Sequence, residues 1–193
     1  MQPSDVRTSP GDAHGDGAPS AWVSRFLPLV RRSGRVLDLA CGGGRHAKLA
    51  AGMGLEVTAL DRNRDALAGM GGLPGISAIE HDLEAEGARW PFDAGAFDGI
   101  IVTNYLHRPL MADILAALAP GGVLIYETFT AGNEKYGKPS RPAFLLQPGE
   151  LLDACAALTI VAFEQGRETA PSECVRQRIC AVRDIVPAEI ALP

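Results

Sequence analysis

From residue 20 onward the chain alternates short apolar runs with segments whose apolar residues recur every three or four positions. In SAWVSRFLPLVRRSG, Trp22, Phe26, Leu29 and Val30 recur at helical spacing, and Ser20 is placed to cap the first turn. Pro28 has to be absorbed as a kink or a break, which predicts two short pieces. RVLDLA (35–40) reads as a buried strand, and GRHAKLAAG (44–52) as a helix stopped by Gly52 and Gly54. LEVTAL (55–60), GISAIE (75–80) and FDGIIVT (97–103) read as further strands, with RDALAGM (64–70) as a helix between the first two. LMADILAALAP (110–120) has the pattern of an amphipathic helix and leads into a strand at GGVLIYETF (121–129).

After an irregular stretch, PGELLDACAAL (148–158) predicts a helix, and TIVAFEQGRET and ECVRQRICAVRDI predict two strands. Strands separated by helical segments predict βαβ units and a parallel sheet covered on both faces. The last two strands are joined only through APS (170–172), so they are expected to form an antiparallel hairpin at one edge. No internal repeat is visible.

Composition adjusts this picture at the edges. Residues 1–19 are rich in Gly, Pro, Asp and Ser and hold no aromatic residue, which predicts a flexible tail ahead of one domain over 20–193. A chain of 193 residues is long enough for one well-buried core. A formal charge of −5 argues against wholesale binding to a nucleic-acid backbone. The four cysteines, Cys41, Cys155, Cys174 and Cys180, form no CxxC pair, which fits a reducing compartment. No apolar run approaches the roughly 20 residues of a membrane span, and no secretory leader is recognisable, so the expected location is cytoplasmic. The histidines lack ligand spacing, so no metal is expected.

The chemistry starts at RVLDLACGGGRHAKLAAG. Gly42, Gly44 and Ala47 satisfy the pattern G-x-G-x-x-[GA], with Asp61 close to the expected distance downstream. Several nucleotide-binding folds place such a turn after their first strand. Asp38 separates them: a carboxylate beside the helix N-terminus would repel a pyrophosphate resting there. S-adenosylmethionine carries an ammonium and a sulfonium and no phosphate, so an aspartate is compatible with it. The phosphate-loop pattern G-x-x-x-x-G-K-[ST] is absent.

VLDLACGGGRHAKLA resembles the first motif of class I S-adenosylmethionine-dependent methyltransferases, and the order of the other segments over roughly 20–185 is similar too. The resemblance implies an α/β, doubly wound, Rossmann-like fold with a seven-stranded, mostly parallel sheet and an antiparallel last strand. The family's D-x-G-x-G-x-G is met at Asp38, Gly42 and Gly44, with Ala40 in place of the first glycine. By resemblance, Asp61 at the end of VTALD accepts from both ribose hydroxyls, a role suited to a carboxylate facing a vicinal diol. In EHDLEAEGARWPF, Asp82 would accept from the adenine amine and the Leu83 backbone would help seat the ring. Trp90 and Phe92 either pack on the base or belong to the core. The compact DLACGGGRHA turn also resembles the small-molecule and tellurite-resistance branches.

In class I enzymes the turn after the fourth strand faces both the sulfonium and the acceptor, and here it is VTNYLHRPL. Methyl transfer is an in-line displacement in which placement of the nucleophile matters most, and a base is needed only if the acceptor must lose a proton. Asn104, Tyr105 and His107 are the candidates, with His107 either a base or a residue orienting the turn. Glu127, at the carboxyl end of the fifth strand, is a second possible base or cation-binding group. The long connection through 130–147 carries Lys135, Lys138 and Arg141 beside Tyr136 and Phe144, as a lid would. The expected acceptor is a small molecule. An RNA or protein acceptor recruited through 135–141, a non-catalytic cofactor-binding module and a nicotinamide enzyme are the alternatives. Oligomeric state has no signature.

Overall fold

A computed structural model describes residues 17–193. The first sixteen positions of the expected tail therefore lie outside the described residues. The first helix, α1 (Ala21–Phe26), opens where Ser20 Oγ accepts the Trp22 N–H, and a 3₁₀ turn over Leu27–Leu29 accommodates Pro28. The expected two pieces are both present.

Seven strands follow: β1 (Arg35–Leu39), β2 (Glu56–Asp61), β3 (Ile76–Glu80), β4 (Phe97–Thr103), β5 (Leu118–Phe129), β6 (Thr159–Glu168) and β7 (Cys174–Val182). They form one sheet in the order β3-β2-β1-β4-β5-β7-β6. The first five pair in parallel, and β7 pairs antiparallel with both β5 and β6. The chain winds outward from β1 to β3, then returns to the other side of β1 with β4. That reversal is the topological switch point of a doubly wound sheet, where ligands bind beyond the strand carboxyl ends.

Alternation along the strands sorts their side chains onto two faces. Val36, Val57, Ile101, Val123 and Ile125 pack beneath α1, α2 (Arg45–Gly52) and α3 (Arg64–Leu67). Leu37, Leu39, Ile100, Leu124 and Tyr126 pack beneath α4 (Met111–Ala116) and α5 (Glu150–Ala154). Each fully buried aliphatic or aromatic side chain contributes about 1.5–3 kcal/mol of transfer free energy.

Two predicted helices are shorter than their periodicity implied. The one expected over 110–120 ends at Ala116, because Leu118 already pairs with Phe97 and Gly95 and Phe97 donate to the carbonyls of Ala116 and Ala117. The following LAPGG forms an irregular start to β5, with a register shift between Phe97 and Gly99. The helix expected over 148–158 closes at Ala154. All four cysteines are buried free thiols. Among the described residues no helix is long and apolar enough to cross a membrane.

Candidate functional site

The turn leaving β1 is built on left-handed backbone: Ala40, Gly42 and Gly44 have φ of 53°, 54° and 74°. A side chain at Gly44 also meets a second obstacle, since a Cβ there would lie 1.9 Å from Met70 Sδ and the methionine would have to move. Ala40 accepts the same backbone with a methyl attached, at a cost of about 1–2 kcal/mol. Its departure from glycine therefore introduces backbone strain as well as bulk near the ligand.

Several amides of this turn are engaged inside the protein. Cys41 donates to the Leu60 carbonyl, Gly44 to the Cys41 carbonyl, and Gly42 to Asp61 Oδ2 at 2.8 Å. Asp38 is 1% exposed, and its Oδ2 accepts the Ala47 N–H at 2.9 Å. Strand alternation is the reason: Asp38 shares the face of Val36, beneath α2, so it closes the helix's first turn and does not line the ligand space. Burial, opposed by the Ala47 hydrogen bond and Arg45 and reinforced by Asp61, raises its pKa from 3.8 to about 7.

His46, next in the same helix, is buried. Its Nε2 accepts the Ser20 N–H at 3.1 Å and its Nδ1 lies 3.4 Å from Thr103 Oγ1. Burial, then Arg45, lowers its pKa to about 4, so it is a neutral strut between the chain ahead of α1 and the end of β4.

Beyond the turn lies a cavity of about 130 Å³ bordered by Ala40, Asp61, Asp82, Leu83, Glu84 and Tyr105, with Arg62 and His81 at its edge. Asp61 presents a fixed carboxylate there, because Oδ1 accepts the Asn63 N–H at 2.8 Å while Oδ2 holds Gly42. Asp82 Oδ1 accepts the Glu84 N–H, which shapes the turn after β3. Trp90 and Phe92 stand apart from this cavity. They join Phe97 in an edge-to-face row with centroids 5.4 and 4.9 Å apart, packed on the second core cluster.

A second cavity of about 600 Å³ adjoins the first, sharing Arg62, Glu84 and Tyr105. Asn104 and Tyr105 border it, as do Thr128 and Phe129 from the end of β5. Asn104 has φ 55°, donates its N–H to the Glu127 carbonyl and accepts at Oδ1 from Arg176 Nη1 at 2.6 Å. The Arg176 guanidinium also lies 4.2 Å from the Phe129 ring centroid. Tyr126 Oη donates to the Tyr105 carbonyl. Burial first, then Glu84, pushes the Tyr105 phenol well above its ordinary range, so the hydroxyl stays protonated at neutral pH.

Of the four residues expected to face the acceptor, two therefore border the large cavity and two do not. Glu127 is 4% exposed and lies 3.6 Å from Arg178 Nε. Alternation places it with Val123 and Ile125 on the α1 face, opposite Thr128. His107 sits outside the wall, with Nδ1 4.0 Å from Glu84 Oε2.

The 130–147 connection is more ordered than its length implied. Thr130 and Leu146 form a parallel bridge, and 3₁₀ turns span Asn133–Lys135 and Pro142–Phe144. Buried Asn133 donates to the Pro139 carbonyl and accepts the Val175 N–H. From the turn after β4, Arg108 donates to the carbonyls of Ala143 and Leu145 and pairs bidentately with Glu150 at 2.7 and 2.9 Å. Arg62, Glu84, Thr128, Arg108 and Arg176 were not among the sequence candidates. Arg62 and Glu84 adjoin Asp61 and Leu83 and were within reach of a local reading, whereas nothing local marks Arg176.

Residues 12–143 match a family described as methyltransferase domain. Among curated proteins, the chain is 30% identical over 123 residues to the ubiquinone biosynthesis O-methyltransferase of Burkholderia multivorans, covering 60% of this chain and 52% of that protein. The chain thus spans about half the length of the curated relatives it matches. Among solved structures, TehB from Haemophilus influenzae aligns with TM-score 0.66 and 18% identity over 83% of this chain and 61% of that one. The Burkholderia thailandensis 1,6-didemethyltoxoflavin-N1-methyltransferase, solved with that substrate and S-adenosylhomocysteine, aligns with TM-score 0.61 and 19% identity over 85% and 76%. At these identities the structures share the fold, and the likeness to TehB assigns no branch.

Proposed function

This chain belongs to the family of methyltransferase domains, and from that premise we propose that it binds S-adenosylmethionine with the nucleoside seated at the smaller cavity and methylates a small molecule in the larger one. One observation carries the cofactor reading. The N–H groups of Cys41, Gly42, Gly44 and Ala47 are already held by protein oxygens, two of them carboxylate, which leaves a pyrophosphate fewer donors and places negative side chains behind the turn. The adjoining wall offers Asp61, Asp82 and Glu84. That donor and acceptor set fits a phosphate-free nucleoside bearing hydroxyls, an amine and positive charge, and it opposes a dinucleotide.

S-adenosylmethionine, when bound, supplies an electrophilic methyl group on a sulfonium. Asp61, fixed by two backbone N–H groups, orients the ribose diol, and Asp82 with the Leu83 backbone takes the adenine edge. Asp38 acts through the backbone: it fixes the first turn of α2 by accepting the Ala47 N–H. Asn104 and Tyr105 touch the acceptor and hold it in line. Glu127 and His107 become positioning residues, the first fastening the Asn104 turn through its carbonyl, the second standing beside Glu84. Identity to proteins named O-methyltransferases makes an oxygen nucleophile the first acceptor class to test.

The test is incubation of the chain with methyl-labelled S-adenosylmethionine and separate pools of metabolites, RNA and protein. Label in a small molecule, lost in Asp61→Ala, supports the proposal. Label confined to RNA or protein, or cofactor binding without any transfer, contradicts it.

A further inference from the structure

The large cavity differs in charge from the protein around it. Arg62, Lys138 and Arg141 border it, against Glu84 alone, in a chain whose formal charge is −5. Among the described residues, none of these three cations has a carboxylate within 4.0 Å, whereas Arg108, Arg176 and Arg178 are each paired. Glu84 is itself engaged, its Oε2 lying 4.0 Å from His107 Nδ1. Leu106, Phe129, Pro139 and Phe144 supply the apolar part of the wall, and Asn104, Tyr105, Thr128 and Ser140 its neutral polar part. Phe144, which borders the cavity, is 42% exposed.

The backbone that carries two of these cations is held in place. Lys138 and Arg141 lie on the segment between Asn133, which holds the Pro139 carbonyl, and Arg108, which holds those of Ala143 and Leu145. Lys135, on the same segment, does not border the cavity. Unpaired guanidinium and ammonium groups beside apolar side chains recognise an anion attached to an apolar body.

We propose that the methyl acceptor is a small molecule with a carboxylate or phosphate group on a ring-sized apolar body, its anion held by Lys138 and Arg141 with Arg62 opposite. This rests on the reading that the large cavity receives the acceptor. It adds the chemical class that the cavity selects.

The test titrates benzoate, phenyl phosphate and the neutral isostere benzamide into the full chain, both free and loaded with S-adenosylhomocysteine. The two anions are expected to bind at least about tenfold more tightly than benzamide, a difference of about 1.4 kcal/mol. Whichever anion binds tighter identifies the headgroup. Lys138→Ala/Arg141→Ala removes the preference, and Lys135→Ala keeps it. Three outcomes overturn the proposal: equal binding of the three probes, including none at millimolar concentration; a preference that survives the double variant; and displacement of benzoate by a short RNA oligonucleotide with steep salt dependence. Failure to bind S-adenosylhomocysteine would count against the cofactor reading alone, because the probe arms on the free chain still report the charge preference.

Discussion

The two turns that meet at the switch point are fastened in opposite ways. The turn after β1 is held by near neighbours in sequence: Asp38 bonds Ala47 nine positions on, and Asp61 bonds Gly42 nineteen positions back. The turn after β4 is held from afar, with Asn104 bonded to Arg176 at a separation of 72 residues, and Arg108 reaching Leu145 at 37. The first arrangement builds a standard half-site that any chain with the same short motifs can reproduce. The second assembles a cavity from β4, β5, β7 and the 130–147 segment, so its selectivity can change without touching the cofactor side.

The sharpest way to test the local half is to neutralise its buried carboxylate. With a pKa raised from 3.8 to about 7, folded Asp38 keeps a proton that the unfolded chain has lost across that window. Stability therefore falls as pH rises from about 4 to 7 and levels off above, by on the order of 4 kcal/mol at about 1.36 kcal/mol per unit. Asp38→Asn is expected to flatten this slope in urea unfolding at stepped pH, and to be the more stable protein at pH 8. A slope that persists in the variant assigns the proton elsewhere.

Gly44→Ala probes the same half sterically. A side chain at φ 74° facing Met70 Sδ at 1.9 Å costs roughly 3 kcal/mol from left-handed backbone and overpacking together. The double variant with Met70→Ala should recover the packing part and not the backbone part, as read by chemical denaturation.

On the distant half the expected effects are smaller and fall on the acceptor. Arg108→Ala removes a partly exposed clamp, so global stability changes by about 1 kcal/mol or less. Amide exchange across 133–146 should quicken, and the acceptor KM should rise several-fold with S-adenosylhomocysteine affinity unchanged. A matching loss of cofactor affinity would mean that the two halves are not separable.

This division also explains what was readable from the chain. All seven strands and the edge hairpin follow from apolar runs and alternation, and Asp61 and Asp82 fall where local motifs imply. Asp38 lies beside the α2 N-terminus, and parity counted from Val36 turns its side chain toward that helix. Parity would equally have moved Glu127 to the α1 face. Arg176, Arg108 and the cations of the large cavity gain their meaning from a register between β5 and β7 and from a loop folded back across 130–147. Neither is written in a local window.

The central claim is that the glycine turn accepts a phosphate-free nucleoside through the Asp61 carboxylate, with the Gly42 and Ala47 amides already engaged by carboxylates. Titration calorimetry with S-adenosylmethionine, S-adenosylhomocysteine and NADH, on the natural chain and on Asp61→Ala, tests it directly. The account predicts binding of the first two ligands, none of NADH, and a loss of about 100-fold in the variant, as expected for two charge-assisted hydrogen bonds. Binding of NADH alone, or full affinity for S-adenosylhomocysteine in Asp61→Ala, would contradict it.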